Sequence, residues 1–197
     1  MQKTIFRRIL AYIIDMLIVS FILAIFSKIP LISIDTDKYY DTYERYFETL
    51  RETAQAGETM SAEVMSEFEY DLAKASINST VANLVLTIVY FIGFQFLNKG
   101  QTIGKKLMKV KVTNDNGEAP SLLQMIIHVG VGYSVFMTII TSTLFFAASK
   151  STYLSLITYL QFLDMAIVFI GIIMILFRKD EKGLHNLLAK TKVVREG

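Results

Sequence analysis

The chain has 197 residues, of which 53% are hydrophobic, with a formal net charge of +2 and a mean hydropathy of +0.44. This composition is too apolar for an ordinary soluble domain, and the small net charge gives no indication of a nucleic-acid partner. Because the chain has no cysteine, disulfides and thiolate metal sites are excluded. Its two histidines leave little for a metal cluster, and we expect no cofactor.

Four long apolar segments predict an all-α membrane protein, because a transmembrane helix needs roughly 20 apolar residues. They lie at about residues 9–29, 80–97, 122–147 and 153–177. The second segment carries three notable polar side chains, Asn83, Tyr90 and Gln95. The short connection between the last two segments predicts an antiparallel helical hairpin. We therefore expect one membrane domain over residues 1–197 with four transmembrane helices.

The charges between these segments predict the orientation. The insertion at 30–79 has four basic residues against eleven acidic ones, whereas the loop at 98–121 has five lysines against two acidic residues. The tail at 178–197 has six basic residues against three acidic ones. Because basic segments favour the cytoplasm, we expect both termini and the loop inside and the insertion outside.

The acidic insertion has the pattern of an extracellular helical cap. Apolar residues recur at helical spacing before Gly57 and again after Ser61. The two stripes are Tyr39, Tyr43, Tyr46 and Leu50, then Val64, Phe68 and Leu72. Since neither glycine nor proline follows before Gly93, the second cap helix is expected to continue into the second span. The cap either packs on itself or a second subunit, or forms an acidic vestibule that concentrates cations.

Two short segments alternate apolar and polar residues, which is typical of strands. They are residues 107–113, followed by a turn at 114–117, and residues 191–194. We expect them to pair as a small cytoplasmic two-stranded β element, which would tie the tail to the loop at 98–121.

Asp15 is the candidate polar centre of the first span. A carboxylate inside a bilayer costs about 2.5–3.5 kcal/mol or more at its centre. Arg8 lies two helical turns earlier on the same face, so we expect the two side chains to approach each other directly or through water. Asp15 is either a structural carboxylate, satisfied by Arg8 or a neighbouring Ser or Tyr, or a proton or cation site.

Three further ionisable residues are candidates for the polar core or its surroundings. Asp164, in the fourth span, either acts in a relay with Asp15 at another depth, faces the outer interface, or pairs with His128 or Arg8. His128 has the position of a hydrogen-bonding residue between closely packed helices, or of a proton shuttle. His185, in the tail, is expected to stabilise a turn.

The segment at 100–106 resembles a phosphate loop only superficially. Its spacing is one residue short of the nucleotide-binding motif, no Ser or Thr follows its lysines, and it leaves an apolar helix rather than a strand. We interpret its lysine cluster (Lys105, Lys106, Lys109 and Lys111) as a topology signal and a contact for anionic lipids. No catalytic set has credible spacing, so we expect no enzyme.

Three separated blocks together resemble the RDD family of prokaryotic membrane proteins, named for one arginine and two aspartates. The first holds Arg8 and Asp15. The second has the family's G-x-T-x-G-K pattern and a strand, and the third has its G-L-H-D-x-x-A-x-T tail. Their matching residues are Gly100, Thr102, Gly104 and Lys105, then His185 and Thr191.

The chain departs from the family pattern at two positions. The second aspartate falls at Asn186, which cannot carry charge, and His128 stands where an arginine is expected. The resemblance implies a multi-pass protein of the bacterial plasma membrane, with transport suggested and cation/proton exchange proposed for some members. We expect a small transporter for Na⁺, K⁺ or H⁺, acting as a homo-oligomer or with another membrane partner. The alternative is a non-transporting membrane adaptor or assembly factor that binds a partner through the cap.

Overall fold

The structure, a computed structural model, describes residues 4–29 and 32–196. Its helices before the sheet are α1 (Ile5–Phe26), α2 (Thr36–Gln55), α3 (Ala62–Leu97) and the short α4 (Ile103–Leu107). Strand β1 (Val110–Asn114) is followed by α5 (Leu122–Gly132), α6 (Val135–Ala147) and α7 (Lys150–Phe177). The chain continues with α8 (Leu184–Leu188) and β2 (Thr191–Arg195).

Among the described helices, α1, α3 and α7 are each long and apolar enough to cross a membrane. The α5–α6 pair provides a fourth candidate span only if its two helices, bent by 71°, are taken together. Large apolar side chains on α1 and α7 remain exposed, among them Leu17 at 66% and Phe177 at 81%. Soluble monomers rarely expose such contiguous apolar surface, whereas a bilayer covers it.

The single helix predicted at about residues 122–147 is instead a pair of helices with a sharp bend between them. Helix α5 ends at Gly132, and Ser134 adopts a left-handed conformation with φ +56° before α6 begins. The ring of Phe136 folds back onto Gly130, where an added Cβ would lie only 2.3 Å from the ring. The missing side chain at Gly130 therefore leaves room for the sharp bend.

The helical stripes of the insertion form α2 and the first half of α3, as predicted. Gly57, with φ +72°, follows the end of α2, and the Ser61 hydroxyl caps the start of α3. The Tyr46 and Phe68 rings pack edge to face with centroids 5.4 Å apart. Helix α3 then continues without interruption into its apolar half, with a π-helical segment at Ile88–Phe94. The prediction that the second helix of the insertion continues into the second apolar segment is confirmed.

The two strands pair antiparallel from Val110 opposite Arg195 to Asn114 opposite Thr191, which confirms the predicted β element. Val112 of β1 is fully buried in a core that also contains Phe91 of α3 and Met125 of α5. The core thus lies at the end of the helices that carries the sheet. Short α4 packs on α1 there, and short α8 packs on α5.

Candidate functional site

Asp15 is fully buried on α1 and accepts three hydrogen bonds. The Tyr90 hydroxyl donates to its Oδ1 at 2.7 Å and the Thr102 hydroxyl to its Oδ2 at 2.5 Å. The backbone N–H of Gly104 donates to Oδ1 at 2.8 Å. Hydrogen bonds to a carboxylate offset the cost of burying its charge. Asp15 therefore joins α1, α3 and α4 at one point.

The sequence around α4 explains why this contact forms. Thr102 caps α4, with its hydroxyl oxygen accepting from the backbone N–H of Lys105 at 3.2 Å. The first N–H groups of a helix have no partner within it, which leaves that of Gly104 for Asp15. A Cβ at Gly104 would lie 2.2 Å from the Ala11 carbonyl oxygen and 2.8 Å from Asp15 Oδ1. Only glycine lets α4 approach α1 this closely.

Arg8 has different partners, so a direct hydrogen bond between Arg8 and Asp15, one of the two predicted arrangements, does not form. Its guanidinium donates to the Glu181 carbonyl oxygen at 2.6 Å and to Asn186 Oδ1 at 3.2 Å. The physical reason is that the oxygens of Asp15 are already occupied by α3 and α4. Arg8 instead connects the start of α1 to the tail, where Thr4 also donates to the Glu181 carboxylate.

Asn186 is the centre of a buried polar cluster around Arg8. Its Oδ1 also accepts from the Gly183 N–H at 3.2 Å, and its Nδ2 lies 3.4 Å from the Thr191 hydroxyl. That hydroxyl lies 3.0 Å from His128 Nδ1. We call Arg8, His128, His185, Asn186 and Thr191 the Arg8–Asn186 cluster.

His185 lies in α8 and packs edge to face on His128, with ring centroids 4.8 Å apart. The His185 side chain therefore contacts the rest of the Arg8–Asn186 cluster through His128, in addition to any contribution to the turn predicted in the tail. Burial is the main cause that lowers the pKa of His185 to about 3, and the positive charges of Arg8 and Lys105 lower it further. His185 is therefore neutral at physiological pH.

Lys105 is buried, with only 8% of its surface exposed, so it does not lie on the open surface of the protein. Its ammonium donates to Gln95 Oε1 at 3.1 Å and to the Tyr133 hydroxyl at 3.4 Å. Burial lowers the pKa of Lys105 to about 8, although the charge of Asp15 opposes that shift. Lys106 and Lys109 of the lysine cluster are exposed.

A cavity of about 480 Å³, the Arg8 cavity, lies beside the cluster. Its polar lining consists of Arg8, Tyr12, Lys105, His128, Tyr133 and His185. The rest is largely aliphatic, from Ile5 and Ile9 of α1 and the α7 face that includes Val168, Ile172 and Leu176. The cavity thus lies between α1 and α7, next to α5 and α8.

Two other cavities lie toward the cap end of the helices. The hydroxyl cavity, about 580 Å³, is lined by α1, α3 and α6 and includes Ser20, Ser27, Ser79, Asn83 and Thr87. The Asp164 cavity, about 230 Å³, is lined by α3, α6 and α7. Its polar lining residues include Ser76, Thr141, Ser142, Gln161 and Asp164. Asp164 therefore lies apart from the Arg8–Asn186 cluster rather than pairing with His128 or Arg8.

The cavities share lining residues. Thr80 and Thr138 line both the Asp164 cavity and the hydroxyl cavity. Tyr133 lines both the hydroxyl cavity and the Arg8 cavity. Tyr133 lies at the break between α5 and α6, and its ring packs on Phe91 with centroids 4.2 Å apart. A single aromatic side chain therefore lies where these two cavities meet.

Sequence reasoning missed the roles of Tyr133 and Glu181, and it noted Tyr90 and Gln95 only as polar residues of a span. The signal for Tyr90 was its hydroxyl within an apolar segment, which needs a partner when buried. Within residues 4–29 and 32–196, no group of three or more His, Asp or Glu side chains could hold a metal ion.

The model of the RDD family matches residues 3–190. The chain belongs to the RDD family. It is also 29% identical over 143 residues to the uncharacterized protein YxaI of Bacillus subtilis (strain 168). The aligned region covers 71% of this chain and 74% of that protein. No solved structure matches the chain. The three RDD blocks meet in space: Asp15 holds the second block through Thr102 and Gly104, and Arg8 holds the third through Asn186.

Proposed function

We propose that this RDD protein is a multi-pass transporter of the bacterial plasma membrane, rather than an enzyme, and that it exchanges cations for protons. The α5–α6 pair counts as one broken span, which gives four crossings. The basic loop and tail lie in the cytoplasm with both termini, and α2 lies outside. The charge distribution supports this orientation.

The observation that carries the proposal is the position of Tyr133 at a helix break, between the hydroxyl cavity and the Arg8 cavity. Broken helices in transporters line binding sites near the middle of the membrane. With the shared residues Thr80 and Thr138, the three cavities form a series from Asp164 to Arg8. Movement of the Tyr133 ring would connect the two sides.

Within this path, the carboxylate that acts on cations is Asp164 rather than Asp15. Asp15 is held by three donors and lines none of the three cavities, so its role is to fasten α4 to α1. Asp164 shares its cavity with the hydroxyls of Thr141 and Ser142. Among the described residues, buried Ser142 Oγ has no hydrogen-bond partner. Carboxylate and hydroxyl oxygens are ligands that suit a hard cation.

The test is exchange in reconstituted vesicles that contain a pH-sensitive dye. Addition of Na⁺, K⁺ or Li⁺ should change the internal pH, and Asp164→Asn should abolish this response. Glu48→Gln, a neutralised carboxylate on the exposed face of α2, is the matched control and should respond as the unmodified protein does. A full response from Asp164→Asn contradicts the assignment of the cation site.

A membrane adaptor is the second candidate, and the surface of α2 favours it. Tyr40 and Phe47 are 66% and 58% exposed on this acidic helix, and aromatic residues are enriched at protein interfaces. Their partner would be another membrane protein or a second copy of the chain. Vesicles that respond to none of the three ions favour the adaptor. If the protein is an adaptor, the double substitution Tyr40→Ser, Phe47→Ser should abolish chemical cross-linking between α2 and this partner.

A further inference from the structure

The Arg8 cavity combines two basic side chains with an apolar wall. Arg8 and Lys105 line it, and none of its described lining residues is acidic. The nearest carboxylates act on these cations from outside the cavity and are bonded elsewhere. Asp15 accepts from Tyr90, Thr102 and Gly104, and the Glu181 carboxylate accepts from Thr4.

The two cations keep donors for a further partner. An arginine has five N–H donors and a lysine three, and the described hydrogen bonds of Arg8 and Lys105 use two donors on each. The two histidines of the cavity wall add polar ring atoms. This end of the cavity is therefore complementary to an anion with several acceptor oxygens.

The other end of the cavity is aliphatic and continuous with surface that faces lipid. Ile9 of α1 is 51% exposed, and Ile172 and Leu176 of α7 are 50% and 55% exposed. An acyl chain could enter between α1 and α7 without leaving apolar surroundings. The cavity volume of about 480 Å³ is within the range of roughly 300–1,000 Å³ for small-molecule sites.

From this juxtaposition we propose that the Arg8 cavity binds one anionic phospholipid of the surrounding bilayer. Its phosphate lies between Arg8 and Lys105, and one acyl chain lies along Ile9, Ile172 and Leu176. The bilayer is the source because a free anion would leave the aliphatic wall uncovered. This inference goes beyond cation transport and does not depend on it. A bound phosphate would also offset the two positive charges at the Tyr133 end of the path.

Native mass spectrometry of the purified protein in a neutral detergent tests the proposal. The protein is titrated with phosphatidylglycerol, or with phosphatidylcholine of the same acyl chains, and the bound lipid is counted. One phosphatidylglycerol should be retained at concentrations where phosphatidylcholine is lost. Lys105→Gln should weaken this binding by about tenfold, as loss of one charged hydrogen bond implies. Glycerol phosphate, which has the anion without chains, should not displace the lipid.

A matched pair of tryptophan variants on α7 distinguishes a loss of lipid binding from a loss of folding. Ile172→Trp places an indole in the cavity and should also weaken the retention of phosphatidylglycerol by about tenfold or more. Ile173, which is 39% exposed and does not line the cavity, provides the control Ile173→Trp, with retention unchanged. Equal retention of the two lipids, equal binding by the two Trp variants, or displacement by glycerol phosphate overturns the proposal. Vesicle transport is measured separately, so either idea can fail without the other.

Discussion

Arg8 donates to Asn186 Oδ1 at 3.2 Å, so the arginine of the first RDD block meets the position of the second family aspartate across 178 residues of chain. In this protein the pair is an arginine and an amide. The nearby carboxylate of Glu181 interacts favourably with the charge of Arg8.

Asn186→Asp should therefore stabilise the protein at neutral pH. A carboxylate beside Arg8 would make a charge-assisted bond, which is stronger than the present one by about 1 kcal/mol. Pairing with Arg8 should hold the pKa of the new carboxylate below the ordinary Asp value of about 4. The stabilisation should therefore be present above about pH 4 and be lost as the pH falls further, because the unfolded chain takes up the proton first. Thermal unfolding in detergent at several pH values measures the effect. When Arg8→Gln is also present, Asn186→Asp should no longer raise the stability. A stability gain that persists without Arg8 would refute the pairing.

Gly104→Ala should destabilise the fold strongly. The new Cβ would lie 2.2 Å from the Ala11 carbonyl oxygen, so α4 would have to move away from α1 and release Asp15. A buried carboxylate that loses a donor costs about 1–3 kcal/mol or more. Gly93→Ala is the matched control, because nothing lies within 4 Å of its Cβ, and it should be neutral or slightly stabilising. Equal unfolding temperatures for the two variants would show that this close approach is unimportant.

Periodicity predicted α2, the continuous α3 and the two strands, because each depends on a local repeat of apolar side chains. The partners of Asp15 were not predictable in this way. The distance between Arg8 and Asp15 along one helix says nothing about α4, which approaches from a distant part of the sequence. Hydropathy could not reveal the bend between α5 and α6 either. The segment is apolar throughout, and the bend depends on the left-handed Ser134 and on contact between Gly130 and Phe136.

His185 should make the protein less stable as the pH falls. Its pKa is about 3 in the folded protein against an ordinary value of 6.5, so only the unfolded chain takes up a proton between these values. Folding stability then decreases by up to about 1.4 kcal/mol per pH unit within that window. Unfolding of His185→Gln, compared with the unmodified protein from pH 7 to pH 4, isolates this contribution. The variant should show the shallower decrease, and parallel curves would contradict the burial of a neutral imidazole beside Arg8 and Lys105.

The substitution Ser142→Ala tests whether the Asp164 cavity holds a cation. If its hydroxyl is only a buried group without a partner, Ser142→Ala removes an unsatisfied oxygen and leaves transport unchanged. If the hydroxyl is a ligand, as we expect, the variant should raise the apparent KM for Na⁺ severalfold with little effect on the maximal rate, because binding is lost rather than turnover. Ser155→Ala, on the exposed face of α7, should change neither value. Vesicle exchange rates over a range of Na⁺ concentrations separate the two outcomes, and an unchanged KM for Ser142→Ala would remove this hydroxyl from the site.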